Sequence, residues 1–115
     1  MAERAKDLGC EVTFFQSNHQ GSLVDEVQER RQDVDGIILN PAGLTGVGYS
    51  LRDAVEDSDL PMVEVHLSNI HAREEFRRHS CFSAIAVALV AGFRWRGYIA
   101  ALEMLVATIR EADKG

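Results

Sequence analysis

The stretch VEVHLSNIHARE, residues 63–74, passes from an apolar strand into a run of histidine, arginine and small polar residues. A buried strand that delivers such a cluster at its carboxyl end is building a site. In open parallel α/β sheets, ligands bind outside the carboxyl ends of the strands, where side chains and free backbone N–H groups converge. The strand itself reads as residues 60–66, broken only at its start by Pro61.

Working outward from it, DGIIL at residues 35–39 is a second strand of the continuously apolar, fully buried type. NPAGLTGVG, residues 40–48, is a glycine-rich loop, and beyond it Ser50 and Asp53 resemble a capping box on a helix running to about residue 57. Upstream, residues 22–31 carry Leu23 and Val27 at helical spacing, residues 16–21 form a loop, residues 10–15 a short strand, and residues 2–8 a polar helix stopped by Gly9. Downstream, residues 68–80 are loop and a short helical turn, residues 85–91 a fourth strand, and residues 96–112 a final helix. Alternation at this spacing implies βαβ units with right-handed crossovers and a parallel sheet of residues 12–15, 36–39, 62–66 and 85–91. A three-layer α/β domain normally begins with a strand, which lies mid-sheet in the flavodoxin-like order. Here Met1 begins inside a helix, so the expected fold is a flavodoxin-like three-layer sandwich lacking its first, central strand. A groove beside residues 36–39 should mark the gap.

A chain of 115 residues fits one domain with a real core. The net charge of −6 argues against a general nucleic-acid or membrane surface, so an anionic ligand needs a local cationic cluster, of which Arg73, Arg77 and Arg78 form the best. Cys10 and Cys81 make no spaced motif and read as reduced thiols of a cytoplasmic protein. Residues 85–92, the longest apolar run, are too short to span a bilayer, and the N-terminus lacks the layout of a signal peptide.

The runs FFQSNHQG (14–21), DGIILNP (35–41), LRDA (51–54), VEVHLSNIHAREEFRRHS (63–80) and GYIAALEML (97–105) occur in order and together resemble the type II 3-dehydroquinate dehydratases. The resemblance implies small flavodoxin-like domains assembled as dodecamers of four trimers. It implies an enzyme of shikimate or quinate metabolism that dehydrates 3-dehydroquinate to 3-dehydroshikimate without metal or cofactor. The reaction is an anti elimination through an enolate. A tyrosine on an N-terminal lid loop, helped by an arginine, removes a proton next to the ketone, and a histidine matched by His66 protonates the departing hydroxyl. An imidazole suits that task because its ordinary pKa near 6.5 lets it hold and release a proton at neutral pH, and Glu64 on the same strand face is placed to orient it. By the same resemblance, backbone N–H groups of Leu67 and Ser68 hold the substrate carboxylate. Asn40 binds a substrate hydroxyl, Arg77 the ring hydroxyls, and Asp53 reaches into a neighbouring subunit's site.

The departures are specific. The family's opening strand and lid have no counterpart after Met1, and Tyr49 and Tyr98 sit in helical contexts that do not match the lid. Gly46 stands where the family loop, usually like NPGAYTHTS, carries a substrate-binding histidine. Two classes of function therefore stay open: a lyase incompletely represented by these residues, and an impaired homologue that keeps the assembly surfaces and part of the anion site. A receiver-like signalling domain fails, because Asp35 precedes its strand instead of following it.

Single residues also carry plainer readings. His66 fits a core-edge histidine bonded to a carbonyl, although a strand-end side chain facing a polar cleft should fill no core volume. Arg73, Arg77 and Arg78 fit a solvated helical face paired with Glu74 and Glu75, Arg73 and Arg78 fit a subunit contact as well, and Asp53 fits a helix cap and Asn40 a turn. The irregular spacing of His66, His71 and His79 and their lack of cysteine partners argue against zinc.

Overall fold

In the computed structural model, which describes residues 1–114, the alternating apolar and amphipathic runs become three strands and five helices. In chain order these are α1 (Ala2–Leu8), α2 (Gln20–Arg30), β1 (Ile37–Leu39), α3 (Tyr49–Asp57), β2 (Met62–His66), α4 (Glu75–Arg78), β3 (Ala88–Ala91) and α5 (Arg96–Lys114). The strands lie in the order β1-β2-β3 and every pairing is parallel, with Leu39 beside Glu64 and His66 beside Ala91. All three strands therefore end at one edge.

The central strand β2 is buried along its whole length, and because side chains alternate across a pleated strand its two faces feed two cores. Met62 packs with Leu51 and Val55 of α3 and with Cys81 and Phe82, over Leu23, Val24 and Val27 of α2. Val63 and Val65 point the other way, onto Ala101 and Leu105 of α5. The result is three layers, each large apolar side chain contributing about 1.5–3 kcal/mol by leaving water. By the same alternation Glu64 and His66 share the face of Met62. α5 lies very close to the sheet because its first turn carries Gly97, where a Cβ would stand 3.3 Å from Val65 Cγ1 and 3.4 Å from Val90 Cγ1.

Gly9, in the left-handed conformation with φ 73°, ends α1 as expected and donates back to its last carbonyls. α1 then lies along α5, with Arg4 Nε 2.6 Å from Glu103 Oε1 and Arg110 donating to the Leu8 carbonyl.

Four local expectations are corrected. Residues 10–15 are not a strand. An extended segment becomes a strand only when a neighbour takes its N–H and C=O groups, and the outer edge of β1 does not reach it. A groove separates the two, lined by Thr13 and Phe15 on one side and by Ile37, Ile38 and Leu39 on the other, which is the gap expected beside residues 36–39. The last strand covers only Ala88–Ala91, because Ser83–Ile85 wind into a 3-10 turn. Ser50 lies inside α3 and does not cap it; Gly48 is the N-cap, and the Leu51 N–H instead donates to Gln20 Oε1 of α2 at 3.1 Å. Asp53 likewise caps nothing and pairs with its neighbour Arg52 at 3.1 Å.

Candidate active site

Parallel strands that end together bring Asn40, His66 and the segment 67–69 to the carboxyl edge of the sheet. His66 is the last residue of β2 and only 4% exposed, while Glu64, two positions back on the same face, is completely buried. The His66 ring bonds through Nε2 to Glu64 Oε2. Two serines also donate to that carboxylate, Ser80 Oγ to Oε2 at 2.6 Å and Ser83 Oγ to Oε1 at 2.7 Å. Burial pushes the Glu64 carboxyl up, but the hydrogen bonds from His66, Ser80 and Ser83 and the charge of His66 outweigh it, and the net shift is downward. Glu64 is therefore a fixed anion behind the imidazole. His66 is not the carbonyl-satisfied core histidine of the plainer reading.

The backbone after β2 is tied to the exit of β3, Gly92 N–H donating to the His66 carbonyl at 3.2 Å and Arg94 N–H to the Leu67 carbonyl at 2.8 Å. Leu67 and Ser68 are exposed, and Ser68 Oγ accepts from Arg73 Nη2 at 2.5 Å, which sets a guanidinium beside this corner. Asn69 Oδ1 accepts the His71 N–H at 3.0 Å and starts the next turn. Asn40 is held at both ends of its amide: Oδ1 takes the Ala42 N–H at 3.1 Å and Nδ2 donates to Tyr98 Oη at 2.8 Å.

Other expected residues lie further out. Arg77, on the short helix α4, is half exposed and sits 3.6 Å from Glu74, the solvated pairing of the plainer reading. Asp53 is on the exposed side of α3, and His71 and His79 are exposed on the loops that flank α4. A Cβ at Gly46 would meet the His79 carbonyl oxygen at 3.4 Å, an ordinary contact. Among the described residues, no three His, Cys, Asp or Glu side chains gather to hold a metal ion.

Sequence reasoning missed Ser80, Ser83 and Tyr98. The available signal was the serine pair three positions apart in SCFS, residues 80–83, directly before an apolar run.

Residues 1–106 match the family model described as Dehydroquinase class II. A 3-dehydroquinate dehydratase of Herpetosiphon aurantiacus is 47% identical over 106 residues, 92% of this chain and 74% of the relative. A catabolic 3-dehydroquinase of Verticillium alfalfae is 44% identical over 111 residues, 96% of this chain and 74% of the relative. The crystal structure of type II dehydroquinase from Butyrivibrio crossotus superposes with a TM-score of 0.85 at 39% identity, covering 90% of this chain and 72% of that one. With its parallel sheet and helical layers matching as well as its sequence, the chain belongs to the class II dehydroquinase family.

Proposed function

We propose that the chain serves the dehydration of 3-dehydroquinate to 3-dehydroshikimate, with His66 as the general acid. The observation that carries this reading is the buried Glu64 carboxylate behind the imidazole, an arrangement that favours a ring able to carry and release a proton at the mouth of the sheet. In the anti elimination, a base of the kind the family's lid tyrosine supplies takes a proton beside the ketone and leaves an enolate. Collapse of the enolate breaks the C–O bond, and the hydroxyl leaves as water after taking the His66 proton. Leu67 and Ser68 would receive the substrate carboxylate at the corner beside Arg73, Asn40 a hydroxyl, and Arg77 the ring hydroxyls. Asp53, exposed on α3, suits a contact across a subunit boundary in a trimer-based dodecamer. We place the enzyme in the cytoplasm.

A second reading, a homologue that binds but turns over poorly, is favoured by two observations. Gly46 presents no imidazole, and the two tyrosines are otherwise placed: Tyr98 Oη accepts from Asn40, while Tyr49 opens α3. One experiment separates the readings. An isotope-labelled chain is titrated with 3-dehydroquinate while 3-dehydroshikimate is followed by its ultraviolet absorbance. Shifts at His66, Leu67 and Ser68 with product formation support the lyase, and the same shifts without product support the impaired homologue. No shift at any of the three would reject both.

A further inference from the structure

Ser80 and Ser83 direct both of their hydroxyls at one carboxylate, each oxygen of Glu64 receiving one serine. A buried carboxylate is costly unless its lone pairs are filled. Serines fill them without adding charge, so the one cation able to neutralise Glu64 is the protonated ring of His66. An arginine or lysine in their place would claim the anion for itself. The residue between them, Phe82, is fully buried in the core, and its N–H donates to Ser80 Oγ at 3.2 Å, so the serine turn is anchored. The other titratable group close by is the Cys81 thiol, which burial pushes up, with Glu64 adding to the rise and Arg52 of α3 opposing it.

We propose that Ser80 and Ser83 are positioning residues that hold the Glu64 carboxylate in a single orientation, so that the His66 ring keeps a proton on Nε2 and offers Nδ1 to the departing hydroxyl. This rests on the reading of His66 as the acid. In the step itself the Nδ1 proton passes to the leaving oxygen, the C–O bonding pair departs with that oxygen, and the ring is left neutral with Nε2–H still on Glu64. Stripped of its serine donors, the carboxylate gains proton affinity and competes for the Nε2 proton, and the ring loses its fixed tautomer.

The experiment uses the labelled chain and two nuclear magnetic resonance readings, the ring nitrogen shifts of His66 and the carboxyl carbon titration of Glu64. Wild type should show one tautomer, protonated at Nε2. Ser80→Ala/Ser83→Ala should show averaged ring nitrogens and an upward move of the Glu64 titration, and Ser83→Ala alone a smaller change in the same direction. Ser83→Thr, which restores the hydroxyl, should return both readings to those of wild type. Ser83 lies in an exposed turn, so its single variants decide the matter if the double variant does not fold. In a form that turns over, the double variant should lose about 10-fold in kcat with KM nearly unchanged, a part of the 10²- to 10⁴-fold that a positioned acid supplies. Alanine variants that keep the wild-type tautomer and titration overturn the proposal. Absence of turnover in every form, with the tautomer still responding to the serines, overturns the dehydratase reading alone.

Discussion

Asn40 Nδ2 donates to Tyr98 Oη at 2.8 Å, joining the residue after β1 to the first turn of α5 across 58 positions of sequence. Tyr98→Phe removes that acceptor and frees the amide to rotate. If Asn40 meets a substrate hydroxyl, KM should rise about 3- to 10-fold with kcat little changed, the effect of one hydrogen bond worth about 1 kcal/mol. A fall in kcat at constant KM would assign Tyr98 to the chemistry instead.

The depressed Glu64 carboxyl has a consequence for acid stability. A carboxyl whose folded pKa lies below its unfolded value of 4.5 contributes stability that is complete above 4.5 and lost as pH falls through the folded value. Melting temperature should therefore hold from neutrality down to the ordinary carboxylate range and fall below it. Glu64→Gln should flatten part of that acid limb and lower the neutral plateau. An acid limb identical in the two proteins would show that Glu64 is not depressed.

His66→Ala should lower kcat by about 10²-fold or more, while His71→Ala, in an exposed turn, retains most activity. The expectation that the His66 change is neutral for stability is revised by the structure. The ring is buried and bonded to Glu64, so its removal leaves a buried carboxylate short of a donor and should cost about 1–3 kcal/mol. Denaturant titration of the two variants measures the difference.

Amide hydrogen exchange should divide the predicted strands. Val63 and Val65, buried in a central strand, should exchange slowly, whereas the amides of residues 11–15 should exchange close to the rate of an open chain. Comparable protection in both would mean that residues 11–15 pair in solution.

Those two segments also show what the sequence could tell. DGIIL was legible as a strand from its continuous apolar run and MVEVH from its β-branched, alternating pattern, and each finds a parallel neighbour. EVTFF has equally good strand character, but a strand is a property of pairs, and nothing pairs with it here. The helices were legible to within two residues at each end, since their apolar spacing sets their faces. Glu64 and His66 could be placed on one face from alternation alone. The serines could not, because Ser80 and Ser83 reach Glu64 only after a turn whose geometry depends on Phe82 entering the core. The 3-10 turn at Ser83–Ile85 escaped notice for the same reason: a short apolar run reads as strand until tertiary packing decides otherwise.

The groove between residues 13–15 and β1 has a practical consequence for handling the protein. Phe14 and Phe15 are 66% and 50% exposed, and among the described residues one edge of β1 carries backbone groups without a strand partner. Such an edge is a template for intermolecular β-pairing, and its loss of monomer would accelerate with the square of concentration. Preparations of residues 1–115 should therefore be limited by self-association well before they are limited by thermal unfolding.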